Sequence, residues 1–170
     1  MILLHNVGYY KHSNYNTREQ IKNSKGPISF DGIYLNVYEN QDILEGKDVI
    51  LFVMGNYVGG DNTFDMIAAP DYGLKLEKYC TWDQIFELRD KYKCRVGWHT
   101  WSHRDLTKLP DHELEKELKR PDGVEPILAY PFGNFDRRVE SFAHAAGYRE
   151  AWTVDRGDNS PLQQQRHYLT

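Results

Sequence analysis

Along this chain, short unbroken apolar runs alternate with longer stretches of helical period. The apolar, strand-length runs fall at 2–6, 27–31, 49–55, 94–99, 126–131 and 150–155, with a seventh at 167–170. Turn-forming residues bound most of them, as expected for strands. Between them the periodicity predicts helices at 35–44, 81–92, 111–119 and 137–146. Thr81 and Asp111 suit helix N-caps, because a side-chain oxygen there accepts from the first unpaired amides. Gly147 suits a C-terminal cap, because it takes a left-handed backbone without strain. The run Val-Ile-Leu-Phe-Val-Met at 49–54 has no polar face, which fits a strand covered on both sides, as in parallel sheets. Alternating helices and covered strands predict an α/β fold, either a barrel or a doubly wound sheet. Residues 8–26 and 56–80 break the rhythm and are expected as long loops over one end.

Composition narrows the classes. The chain of 170 residues fits one domain over 1–170 with a substantial core. Its 40% hydrophobic and 27% charged residues are ordinary for a soluble globular protein. A formal charge of -4 with Lys and Arg scattered among acids gives no cationic field for nucleic acid, so no nucleic-acid partner is expected. Cys80 and Cys94 are the only cysteines, too few and too far apart for a disulfide framework or a thiolate zinc site. No run approaches the roughly 20 apolar residues that cross a bilayer, and no basic leader with a cleavage site opens the chain. The expectation is a cytoplasmic protein with no membrane span, with export by another route, such as in a phage particle, left open. Oligomeric state is also open.

Chemistry-bearing residues gather at the predicted strand ends. Ser29-Phe30-Asp31-Gly32 closes the second run, His99-Thr-Trp-Ser-His103 the fourth, Tyr130-Pro131-Phe132-Gly133 the fifth and Asp155 the sixth. In parallel α/β folds the site lies at the carboxyl ends of the strands, so these segments converge on one place. Two imidazoles four residues apart fall on one face of a turn and can reach one metal ion. The 14% aromatic share fits either a carbohydrate-facing cleft, where flat rings stack on sugars, or packing in the core.

These residues, taken in order, resemble a known family. Ser29-Phe30-Asp31-Gly32 is similar to the Thr-Phe-Asp-Asp-Gly motif of the NodB-like polysaccharide deacetylases, carbohydrate esterase family 4. Residues 49–58, Thr81-Trp82-Asp83 and Leu106-Thr107-Lys108-Leu109 resemble further family segments. His99–His103 resembles the family's His-(Ser/Thr)-x-x-His motif, Ala129-Tyr130-Pro131-Phe132-Gly133 its Arg-x-Pro-Tyr-Gly motif, and Asp155-Arg156-Gly157-Asp158-Asn159 its Asp-x-x-Asp-Trp motif. The resemblance implies a distorted (β/α)7 barrel that removes acetyl groups from N-acetylated sugars, with an acetylated glycan or oligosaccharide as substrate. It implies a divalent metal, zinc above cobalt or nickel, on His99 and His103, with Asp31 as general base. A backbone amide near Phe132 would stabilise the oxyanion, and Tyr130, Asp155, Arg156 and Trp101 would contact substrate.

Departures from the family pattern raise specific expectations. Gly32 stands where the family's metal-binding Asp belongs. The third ligand is then Asp31 itself, an acid from another loop such as Asp61 or Asp65, or water; alternatively no metal is held and the chain is a catalytically silent carbohydrate-binding pseudoenzyme. Ala129 replaces the Arg that steadies the base, and Arg156 is expected to supply that guanidinium or to lie on the surface. Asn159 replaces a pocket Trp, leaving Trp98 or Trp101 to form an aromatic wall or to pack in the core. His167, oriented by Asp155 or Asp158, is the expected general acid unless it faces solvent, and His5 is expected as a hydrogen-bonded structural histidine near the barrel mouth.

Overall fold

The computed structural model describes residues 1–7, 15–68 and 75–169. Its strands are β1 (Ile2–Leu4), β2 (Asn6–Val7), β3 (Tyr15–Asn16), β4 (Ile28–Asp31), β5 (Val49–Val53), β6 (Arg95–Trp98), β7 (Ile127–Ala129), β8 (Glu150–Val154) and β9 (Gln164–Tyr168). Seven of them close into a barrel in the order β1-β4-β5-β6-β7-β8-β9, while β2 and β3 pair separately. Every barrel pairing is parallel, and β1 meets β9 to complete the ring. Of the two predicted architectures, the structure is the barrel, in the (β/α)7 form.

Side chains alternate between the lumen and the helical layer, because strand residues point to opposite faces in turn. Ile28, Phe30, Val49, Leu51, Val53, Val96, Trp98 and Leu128 belong to the large outer core beneath the helices. Ile50, Phe52, Ile127 and Ala129, with Met1 and Trp152, form a smaller cluster in the lumen. A narrow barrel is filled by side chains rather than left as a pore. Gly97 makes this possible: a Cβ there would lie 2.6 Å from the Phe52 ring. At the amino end, Arg95 pairs with Glu125 at 3.2 Å and Glu150 at 2.8 Å.

The helices are α1 (Arg18–Asn23), α2 (Leu35–Glu39), α3 (Thr63–Ala68), α4 (Trp82–Tyr92), α5 (Asp111–Leu118) and α6 (Arg137–Ala145). Thr81 caps α4 in a reciprocal box with Gln84, as its hydroxyl predicts. Pro110, not Asp111, holds the cap position of α5; proline's fixed φ suits that junction and leaves Asp111 in the first turn, where its charge favours the helix N-terminus. The stretch 35–44 divides into α2 and a 3-10 turn, Gln41–Leu44, where the Asn40 side chain bonds back to the Asn36 carbonyl. The last strand begins at Gln164 rather than at 167. Its polar run Gln-Gln-Arg hid it, because its lumen-facing residue is an arginine. The expected loops 8–26 and 56–80 contain α1 and α3; residues 8–14 and 69–74 lie outside the described part. No described helix is long and apolar enough to cross a membrane.

Candidate active site

Strand parity brings four polar side chains to the carboxyl mouth of the barrel. Asp31 pairs in register with Phe52, and Phe52 with Gly97, so Asp31 and, two residues on, His99 share the lumen side. Leu4 pairs with Phe30, which places His5 at the level of Asp31. Val154 pairs with Arg166, and the Arg166 guanidinium lies 5.0 Å over the Phe52 ring. Arg166 is fully buried and donates to both carboxylate oxygens of Asp31, at 2.5 and 2.9 Å, and to Ser29 Oγ at 3.3 Å. This fork-on-carboxylate geometry fixes the rotamer of Asp31 as well as its charge.

The two motif histidines stand beside it. His99 Nδ1 is 2.8 Å from the Ala129 carbonyl, which can only accept, so the proton is assigned to Nδ1. His99 Nε2 then carries the lone pair and faces Asp31 Oδ2 at 3.4 Å. The His103 ring is 4.7 Å from that of His99 and 4.7 Å from that of Phe132. Left-handed backbone recurs around the mouth, at Gly32, Thr100, His103, Phe132 and Asp155. Four of these five are not glycine, and such residues persist only where surrounding contacts hold them.

Burial and charge set the protonation of this group. Burial works to raise the Asp31 carboxyl, but the Arg166 guanidinium, with His99 and His5, outweighs it and holds the pKa at about 2. Burial lowers His99. Burial and then the neighbouring His99 lower His103 to about 3, and burial lowers His5 to about 4 against the opposing pull of Asp31. At neutral pH the mouth therefore holds one carboxylate, one guanidinium and three neutral imidazoles.

The family resemblance implies a metal, and the donors can be tested for it. With the proton on His99 Nδ1, His99 Nε2 presents a lone pair toward Asp31 Oδ2. Neutral His103 beside them needs no proton removed before ligation. These two imidazoles are the residues that would hold a divalent cation. A third protein donor is lacking: among the described residues no three His, Cys, Asp or Glu side chains already surround one point. At Gly32, with φ of +66°, a Cβ would come within 2.5 Å of Met54 Cε and 3.2 Å of the Tyr79 ring. The space into which a side chain at 32 would project is filled by Met54 and Tyr79.

Several expected residues stand elsewhere. Arg156 is exposed and donates to Asn134 Oδ1 at 3.2 Å; Arg166, one strand further on, is the guanidinium on Asp31. His167 alternates with Arg166 and so points outward, 60% exposed, with Nδ1 2.5 Å from Asp155 Oδ1; both residues are turned away from the lumen. Tyr130 faces the outer core and donates to the Leu162 carbonyl at 3.1 Å. Trp98 and Trp101 pack edge to face at 4.9 Å, and their indoles donate to the Glu117 and Lys119 carbonyls. Phe132, 62% exposed, does stand at the mouth against His103. Asp61 is exposed and accepts from Thr63; the Asp65 side chain lies outside the described part. His5 Nδ1 is buried without a partner, and the ring stacks near Tyr168 at 6.1 Å. Cys80 and Cys94 are buried free thiols, each pushed up to about 12 by burial. Sequence reasoning missed Arg166, which lies one residue before the expected run at 167–170 and so carried no signal beyond its nearness to that run.

Comparison with known proteins agrees with this fold. No curated protein matches the sequence. The fold is similar to that of the Streptococcus pyogenes deacetylase PplD, solved in complex with acetate, with a TM-score of 0.75 at 14% identity over 99% of this chain and 91% of that one. It is similar to a Bacillus cereus polysaccharide deacetylase, at TM-score 0.73 and 17% identity, over 99% of this chain but only 63% of the other. IcaB from Ammonifex degensii gives 0.72 at 17% identity over 100% and 91%. A family model for polysaccharide deacetylases matches residues 28–151, a span that holds Asp31, His99, His103 and Phe132 and excludes His5, Arg166 and His167. The chain belongs to the polysaccharide deacetylase family, carbohydrate deacetylases that hydrolyse amide bonds.

Proposed function

We propose that this chain removes acetyl groups from N-acetylhexosamine units of a glycan, using Asp31 as general base and His99 and His103 as ligands of a divalent cation, zinc, cobalt or nickel. The observation that carries the reading is the meeting of an ionised, guanidinium-held carboxylate with a neutral imidazole whose lone pair faces it. A bound cation would supply Lewis acidity to the acetyl carbonyl and to water. The protein supplies the rest. Arg166 keeps Asp31 charged and aimed, ready to take a proton from the attacking water. The backbone amide at Phe132, in the left-handed turn after β7, is suited to stabilise the oxyanion. As the amide C–N bond breaks, the leaving nitrogen takes up the proton that Asp31 removed from water, and acetate departs; His167, turned outward, is not placed to deliver it. The exposed Phe132 ring offers an apolar lip for a sugar face.

The test is acetate release from a panel of N-acetylated oligosaccharides by protein loaded with zinc or cobalt. The expected result is release that falls at least about 100-fold in His99→Ala, in the range for loss of a catalytic group. No release from any member of the panel, with His99→Ala indistinguishable from wild type, would overturn it. The filling of the Gly32 site by Met54 and Tyr79 favours a second reading, a carbohydrate-binding pseudoenzyme. Saccharide binding that persists after chelation, without acetate release, would select that reading.

A further inference from the structure

The His99–His103 run holds two left-handed residues, Thr100 at φ 70° and His103 at φ 53°, and each such residue costs on the order of 1–3 kcal/mol unless its surroundings enforce it. The enforcing contacts are identifiable. On one side Gly55 and Asn56 donate their amides to the Thr100 and Trp101 carbonyls at 3.0 and 2.9 Å. On the other stands Glu117 of α5, buried to 7% exposure. Its Oε2 accepts from the backbone amides of Trp101 at 2.8 Å and Ser102 at 2.9 Å, and its Oε1 from the Ser102 hydroxyl. The Glu117 carbonyl also accepts from Trp98 Nε1 at 2.9 Å.

A buried carboxylate is costly to desolvate unless hydrogen bonds satisfy it. Here all three donors come from Trp101 and Ser102, two of the three residues linking the two motif histidines, and none of them is a cation. Successive amides converging on one carboxylate oxygen make an anion-binding concavity in the backbone. In this chain the anion that fills it is a side chain of the neighbouring helix.

We propose that Glu117 is a positioning residue for the two site histidines: its carboxylate clamps the 100–102 backbone in the strained turn that brings His103 beside His99. The inference rests on the proposed role of the histidine pair, but the clamp itself can be read without any metal. Glu117 touches neither reacting group and acts through the turn.

The test compares Glu117→Ala, which leaves the amides without an acceptor, with Glu117→Gln, whose carbonyl still accepts from both while its amide meets the Ser102 hydroxyl. Two readouts are taken on protein shown by circular dichroism to be folded: hydrogen exchange of the 99–104 amides in metal-free protein, and the dissociation constant for cobalt from its visible absorption. Glu117→Ala is expected to exchange at least 10-fold faster in 99–104 only and to bind cobalt at least 10-fold more weakly, with Glu117→Gln within about 3-fold of wild type in both. Unchanged exchange and cobalt affinity in Glu117→Ala would overturn the clamp, and so would a global rather than local rise in exchange. Wild type that binds no cobalt, with the local exchange change present, would sink the metal-ligand reading and leave the clamp standing. Where Glu117→Ala fails to fold, Ser102→Ala carries the test: a 2- to 5-fold local rise in exchange supports the clamp and no rise refutes it.

Discussion

Replacing Arg166 by Met tests the electrostatic core of the site, because it removes the guanidinium while keeping much of the side-chain volume. In the folded protein Arg166 is fully buried and Asp31 is 5% exposed, so solvent cannot screen the loss. The Asp31 carboxyl falls from 3.8 to about 2 despite burial pushing it upward; at 1.36 kcal/mol per decade this net effect alone is about 2 kcal/mol. Arg166 must outweigh the burial penalty as well, so the expected cost is about 3–5 kcal/mol, the range for stranding a buried charge. The sign with pH follows from the direction. A carboxylate with a lowered folded pKa contributes stability that is complete above its unfolded pKa near 4 and lost as pH falls through 2. In Arg166→Met the stranded carboxyl takes up a proton more readily, so the stability gap from wild type is widest near neutral pH and narrows toward pH 4. Urea unfolding at pH 7 and pH 4 measures the gap, and Asp31→Asn/Arg166→Met closes the cycle. The double variant is expected to recover at least half of the single loss, because no charge is left unpaired. A loss below about 1 kcal/mol at pH 7, or a double variant as poor as the sum of the singles, would refute the reasoning.

Other expectations follow from neighbouring groups. The His5 and His103 imidazoles are lowered to about 4 and about 3, so the unfolded chain binds more protons than the native one below pH 6.5; the metal-free protein should keep this stability above pH 6.5 and lose it as pH falls toward 4, by up to about 3 kcal/mol for His5 alone. Thermal melts from pH 7.5 to 4.5 should show it, with a shallower slope in His5→Gln; equal slopes would count against the burial of His5. Gly32→Asp alone should destabilise by about 1–3 kcal/mol through overpacking against Met54 and leave cobalt affinity near wild type, whereas Gly32→Asp/Met54→Ala should tighten it. Tighter binding in the single variant would mean that Met54 yields easily. Arg156→Ala and His167→Ala should change acetate release less than 2-fold, since both side chains lie outside the lumen; a 10-fold fall in either would restore it to the site.

Period and residue type in the sequence already carried the barrel's rhythm. The run Val49–Val53 is apolar at every position, as suits a doubly covered strand, and Thr81 capped the helix it was expected to cap. The approach of Asp31 to His99 was legible too, because both close apolar runs and parallel α/β folds bring such ends together. What was not legible was which polar residues share the lumen. Arg156 and Arg166, or His167 and Arg166, are equivalent as symbols; one residue of register separates the guanidinium that grips Asp31 from the imidazole that faces solvent. Glu117 lay further out of reach, since on its helix it reads as one more acid among Glu113 and Glu115.

The sequence by itself therefore determined the alternating architecture, the family and the candidate residues Asp31, His99 and His103, since each depends on local period or on residues close in the chain. Closure of the barrel decided the rest. It set the face of every strand residue, carried Arg166 across 135 positions to Asp31, brought His5 to the same level, filled the space beyond Gly32 with Met54 and laid Glu117 under the histidine turn. Those pairings depend on strand register and helix docking, which are properties of the whole packed chain and of no segment alone.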